Sequence, residues 1–199
     1  MKAFGNEVVS KSFVVLVVMH LAAVGLAGEN PFGAGTCGGR AEWLRGSVGV
    51  SVHWTAAIPA ADGSKVPFEE AVDRFDVKAF AGALAAVGAR HIIFTTAHGL
   101  QYLPMPNAAL DAIAPGRTTR RDLFGEILDA CAERGIRVIA YYNHSCNSPE
   151  PDSWKCACAC PFPAVDRDIR PFASNICSIV RCMSERYGRR LAGWWFDSS

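Results

Sequence analysis

The chain has 199 residues, half of them hydrophobic and a fifth charged, and its 20 lysines and arginines against 19 acids leave a formal charge of +1. Bases and acids are interleaved, so no basic stripe points to nucleic acid and no acidic run points to a disordered tail. Function is therefore to be sought in a pocket, within one globular unit long enough to bury a core.

Residues 1–27 read as a secretory leader. Lys2 and Lys11 precede the apolar run of residues 13–19, and the small residues Ala22, Ala23, Gly25 and Ala27 follow. The run is short for a membrane span and is interrupted by His20. No stable span is expected once the leader is removed, and the expected location is secreted or periplasmic. Eight cysteines suit an exported chain. Residues 28–47 are a glycine-rich, irregular lead-in, with Trp43 and Leu44 placed to pack just before the first strand. Residues 48–199 form the remaining domain.

In that domain four short apolar runs each end on a polar group. Residues 48–52 run into His53, residues 91–97 into His98, residues 136–142 into Asn143 and His144, and residues 191–196 into Asp197. A buried parallel strand reads this way when its tip delivers a side chain into a site. The tips at 53, 98, 144 and 197 lie 45, 46 and 53 residues apart, which leaves room for a helix in each step. The first helix opens at Asp76, buries Val77, Phe80, Ala81 and Leu84, and stops at Gly88. The second is capped by Thr119, with Asp122 near its positive end; Phe124, Ile127, Leu128 and Cys131 face inward and Gly135 ends it. Cys131 reads as a buried free thiol. The third covers roughly 168–187, with Ile169, Phe172, Ile176, Ile179, Val180 and Met183 inward, and closes at Gly188. Residues 55–73 and 99–117 read as loops. The fold class expected is α/β, the N-terminal half of a (β/α)8 TIM barrel. A complete barrel takes about 250 residues, so the C-terminal half of the barrel is expected to be missing from this chain.

Asp197 is the sharpest candidate for chemistry. A carboxylate at the end of an apolar strand is shielded on one side and open on the other, as a nucleophile toward an anomeric carbon requires. Aromatic neighbours suit a sugar, whose C–H face stacks on a ring. His53, His98 and His144 stand at three successive tips and can hydrogen-bond hydroxyls. No His-x-His or His-Glu-x-x-His spacing appears, so no metal is expected there. Cys156, Cys158 and Cys160 could hold a soft metal. Disulfides to Cys146, Cys177 or Cys182, or unpaired thiols, are the plainer expectation. Arg120 and Arg121 read as solvated or paired with Asp122 or Glu126, and Glu69 and Glu70 as solvated loop residues.

The ordered set His53-Trp54, Arg74-Phe75-Asp76, residues 89–98, Arg121-Asp122-Leu123, Gly135-Ile136, Tyr141-Tyr142 and Trp195-Phe196-Asp197 resembles the N-terminal half of the α-L-fucosidases of glycoside hydrolase family 29. The likeness spans about residues 43–199 and rests on the order of the set. His-Trp alone carries little, and Trp-Phe-Asp carries more. The resemblance implies a retaining exo-glycosidase that needs no cofactor. Its substrate would be a fucosylated glycan or related glycoside, and its barrel would be followed by a β-sandwich. It assigns the nucleophile to Asp197 and sugar contacts to His53, Trp54 and His98, with Tyr142 and Trp195 lining the same pocket. In this chain Gly99-Leu100-Gln101-Tyr102 stands where the family stretch His-His-Asp-Gly-Phe has its second histidine, aspartate, glycine and phenylalanine. That removes one expected sugar contact. Thr55 replaces a glycine after His-Trp. The general acid/base is expected beyond residue 199, so the chain alone is expected to hydrolyse little. Two rival readings are a non-catalytic carbohydrate-binding relic and a metal-dependent barrel hydrolase that uses the histidines.

Overall fold

The computed structural model describes residues 17–20, 42–54, 56, 63–144 and 170–197, and for 17–20 the backbone alone. The rest of the expected leader, most of the lead-in, and the insertion holding Cys146, Cys156, Cys158 and Cys160 lie outside the described residues, as do Asp168 and Ile169.

Four parallel strands form the sheet: β2 (Gly49–Val52), β3 (His91–Ala97), β4 (Arg137–Asn143) and β5 (Gly193–Asp197), neighbours in that order. A further strand, β1 (Val17–His20), lies antiparallel on the free edge of β2, with Val17 opposite Val52 and His20 opposite Gly49. That edge strand falls inside the expected leader and was not foreseen. The sheet is not closed. With helices between successive parallel strands it fits the N-terminal half of a (β/α)8 barrel. Among the described residues no helix is long and apolar enough to cross a membrane.

Among the described residues five α-helices follow in order: α1 (Phe68–Asp73), α2 (Val77–Ala86), α3 (Ala108–Ile113), α4 (Leu123–Ala132) and α5 (Arg170–Tyr187). α2 starts as its sequence dictates: the Asp76 carboxylate accepts from the Ala79 N–H at 2.9 Å. α4 differs. Its cap is Asp122, which accepts from the Gly125 N–H at 2.9 Å, whereas the Thr119 hydroxyl donates to the Arg121 carbonyl. Such a cap is worth about 1 kcal/mol. Asp122 also accepts from the Tyr187 hydroxyl at 2.7 Å, which fastens the end of α5 to the start of α4. α1 and α3 occupy stretches that read as loops. α3 is capped by Asn107, whose side chain accepts from the Leu110 N–H.

The strands sort their side chains by alternation. Val50, Val52 and Trp54, then Ile92 and Phe94, then Val138, Ala140 and Tyr142, form one core with Leu84, Phe124, Ile127, Leu128, Ile179, Met183 and Tyr187 of the helices. Phe94 stacks on Phe124 with centroids 5.8 Å apart. Each large apolar side chain buried here contributes roughly 1.5–3 kcal/mol. Cys131 is a buried free thiol in this layer, pushed up to about 11 by burial, and Cys177 and Cys182 are free as well. Arg121 pairs with Glu126 as expected, and its guanidinium also donates to the carbonyls of Val72, Asp73 and Phe75, so it ties α1 and its exit to α4. Glu69 and Glu70 are paired, with Arg120 and Arg74 respectively.

Candidate functional site

All four parallel strands end on one rim. The face turned away from the helices carries Ser51 and His53 on β2 and its exit, Thr95 on β3, Tyr141 and Asn143 on β4, and Trp195 and Asp197 on β5. Tyr141 is in register with Trp195, and Asn143 with Asp197.

One irregularity brings β3 into line. Thr95 pairs with Tyr141, yet Ala97 pairs with Tyr142, so Thr96 is an extra residue in the ladder. Its hydroxyl donates to the Tyr141 carbonyl at 2.8 Å. A one-residue bulge reverses the facing of everything after it. Strict alternation from Thr95 would send His98 to the helix side. The bulge turns it back toward His53, and the two imidazoles meet edge to face with centroids 4.5 Å apart.

Tyr141 completes the group. Its ring lies 5.6 Å from His53 and 6.3 Å from His98, nearly parallel to the latter. Its hydroxyl donates to the Asp197 carboxylate, while the Asn143 side-chain amide donates to that hydroxyl at 3.4 Å. Burial first, and then the hydrogen bond to Asp197, push the Tyr141 phenol up to about 12. Burial likewise lowers the His98 imidazole below its usual value; the neighbouring His53 lowers it further and Asp197 opposes both. A lowered imidazole favours the neutral form, with one ring N–H to donate and one nitrogen to accept, as hydroxyl recognition needs.

The expected site residues divide. His53, His98 and Asp197 converge through Tyr141. Trp195 is half exposed on the same strand face as Asp197, two residues before it. Trp54 and Tyr142 lie on the other face of the sheet. Trp54 is 7% exposed and packs among Phe68, Phe75 and Phe94, and Tyr142 is wholly buried in the helix-facing core. Both share the phase of the apolar strand residues that flank them. The His144 ring lies against Phe172 of α5, away from the imidazole pair, although its backbone N–H donates to the Asp197 carbonyl at 3.3 Å. Tyr141 was the member missed. Among the described residues no group of three or more His, Cys, Asp or Glu side chains is arranged to hold a metal ion.

The rim therefore defines a class: an open (β/α) barrel half whose strand tips gather two imidazoles and a phenol around a carboxylate. No protein-family model matches the chain, and no curated protein matches it. Solved structures do. An α-L-fucosidase isoenzyme from Paenibacillus thiaminolyticus aligns at 22% identity over 81% of this chain and 43% of its own, with a TM-score of 0.56. One from Vibrio sp. strain EJY3 aligns at 19% over 66% of this chain and 24% of its own, TM-score 0.48. One from Lactobacillus casei aligns at 19% over 62% and 42%, TM-score 0.44. The chain shares the fold of the Paenibacillus enzyme, and it spans less than half the length of each of these three structures.

Proposed function

We propose that this chain carries the nucleophile half of a retaining glycoside hydrolase site of the α-L-fucosidase type. Asp197 attacks the anomeric carbon and forms a glycosyl ester. His53 and His98 hold ring hydroxyls, and Trp195 offers a stacking face. The observation that supports this best is the hydroxyl of Tyr141 donating to Asp197 while its ring packs against both imidazoles. A carboxylate held that way is oriented before substrate arrives. Retaining chemistry needs a second carboxyl group about 5–5.5 Å away, and the proposal assigns it to βα units beyond the four described here. The 199-residue chain alone is then a binder with little or no turnover. Export through the leader belongs to the same proposal, and cleavage after residue 27 would remove β1 from the sheet edge.

Calorimetric titration with an L-fuco-configured iminocyclitol tests the site, because a protonated ring nitrogen mimics the charge that develops at the anomeric centre. The wild-type chain is expected to bind, and Asp197→Asn to bind at least ~10-fold more weakly, about 1.4 kcal/mol. No binding by the wild type, or equal binding by the variant, overturns the assignment. Hydrolysis of an aryl α-L-fucoside that survives Asp197→Asn would do the same.

A further inference from the structure

Gln101 is the one non-glycine residue with positive φ among the described residues, at 54°. Strain of this kind costs on the order of 1 kcal/mol and persists where the surroundings impose it. The side chain is 1% exposed, and its amide oxygen has no hydrogen-bond partner, a second cost at the same residue. Two bonds set against those costs reach two different strand tips. The Gln101 backbone N–H donates to the His98 carbonyl at 2.5 Å, closing the turn after β3. Its side-chain nitrogen donates to the Asn143 carbonyl at 2.6 Å, at the end of β4. The amide orientation follows from that bond, since an oxygen there would face another acceptor. Arg117 braces the same turn by donating to the Leu100 carbonyl, with its guanidinium 5.1 Å from the Tyr102 ring centroid.

We propose that Gln101 is the positioning residue of this rim: by bridging the His98 and Asn143 carbonyls it sets the separation of the β3 and β4 tips, and through them the stacking of His98 on Tyr141 and the hold of Tyr141 on Asp197. The inference rests on the reading of Asp197 as the reacting carboxylate. It explains why a glutamine occupies a conformation that favours glycine, at the position where the stretch it resembles has glycine. A glycine there would relieve the strain and lose the bridge.

Two variants test it. Gln101→Gly removes strain and amide together. Gln101→Asn keeps an amide in a residue that tolerates positive φ but falls one methylene short of Asn143. Each folded variant is read by its melting temperature and by the ionisation of Tyr141, followed by 13Cζ-tyrosine NMR and assigned by the signal lost in Tyr141→Phe. The groups facing that phenol are His53, His98, Asn143 and Asp197. The expected result is a melting temperature held or raised, with the Tyr141 phenol falling toward the ordinary value of about 10. An unmoved Tyr141 titration in both variants overturns the proposal, whatever the melting temperature does. Iminocyclitol binding separates this from the functional reading. If the wild type fails to bind while Tyr141 shifts in the variants, the glycosidase reading falls and the bridge stands. If the wild type binds and Gln101→Gly binds equally with Tyr141 unmoved, the bridge falls alone.

Discussion

Strand β3 has a histidine at each end, and the two imidazoles live differently. His91, at its start, is wedged at the bottom of the sheet. Its ring lies edge-on to Trp43 at 5.6 Å, its Nδ1 shares a 3.1 Å hydrogen bond with the Ser47 hydroxyl, and its imidazole fills the space above Gly49. His98, just past the other end, meets His53 and Tyr141 and feels Asp197. Burial lowers both imidazoles. For His91 burial is the whole cause, whereas for His98 two titratable neighbours pull in opposite directions. Burial alone does not mark a site; the company of other ionisable groups does. The bottom is not featureless, since Trp43, Arg137 and Arg189 help line a pocket of about 890 Å³ there, with the Arg137 guanidinium 4.8 Å from the Trp43 ring centroid. Its parts nonetheless brace one another.

The largest effect expected from this contrast is Gly49→Ala. An added methyl would overlap the His91 imidazole, which Ser47 and Trp43 keep from stepping aside. Overpacking of this kind costs about 1–3 kcal/mol. Urea denaturation should record that loss while Tyr141 ionisation and iminocyclitol binding stay as in the wild type. Should binding fall in step with stability, the two ends of β3 are not independent and the contrast fails. Tyr141→Phe is the converse. It removes one partly exposed hydrogen bond to a carboxylate, so the stability change should stay near 1 kcal/mol, yet ligand affinity should drop because Asp197 loses the hydroxyl that orients it. Unchanged affinity in Tyr141→Phe would make the phenol a spectator.

Much of this was legible in the residues. Polar groups at the ends of apolar runs located the four strand tips, and 3.6-residue periodicity located α2 and α4 with their buried faces. What escaped did so for physical reasons. α1 and α3 are six residues each, too short to show a period, and each sits in a proline-bearing stretch. Asp122 outcompeted Thr119 as a cap because the chain bends through Arg120 and Arg121 and becomes helical only at Leu123. The choice between Tyr141 and Tyr142 turned on strand phase, which residues 136–142 conceal because apolar side chains occupy both faces. Trp54 could have been placed: Val50 and Val52 share its phase and are core residues. The Thr96 bulge that re-aims His98 leaves no mark in composition, and neither does the strained backbone at Gln101.

The smallest effect sharpens the comparison furthest. An imidazole lowered in the folded state binds fewer protons there than in the unfolded chain. Its contribution to stability is therefore fully present above the unfolded value of about 6.5 and is lost as pH falls through the folded value. Both histidines of β3 should weaken the fold on acidification through that window, and their Cε1–H signals in NMR should titrate below the ordinary imidazole range. Only one should respond to the rim. Asp197→Asn removes the group that raises His98, so His98 should titrate lower still, while His53→Gln removes a group that lowers it, so His98 should titrate higher. His91, whose shift comes from burial alone, should keep its midpoint in both variants. Opposite movements of His98 against a fixed His91 would place the carboxylate and both rim imidazoles in one electrostatic neighbourhood. A His98 midpoint indifferent to Asp197 would separate β5 from β2 and β3 and leave the proposed nucleophile without its site.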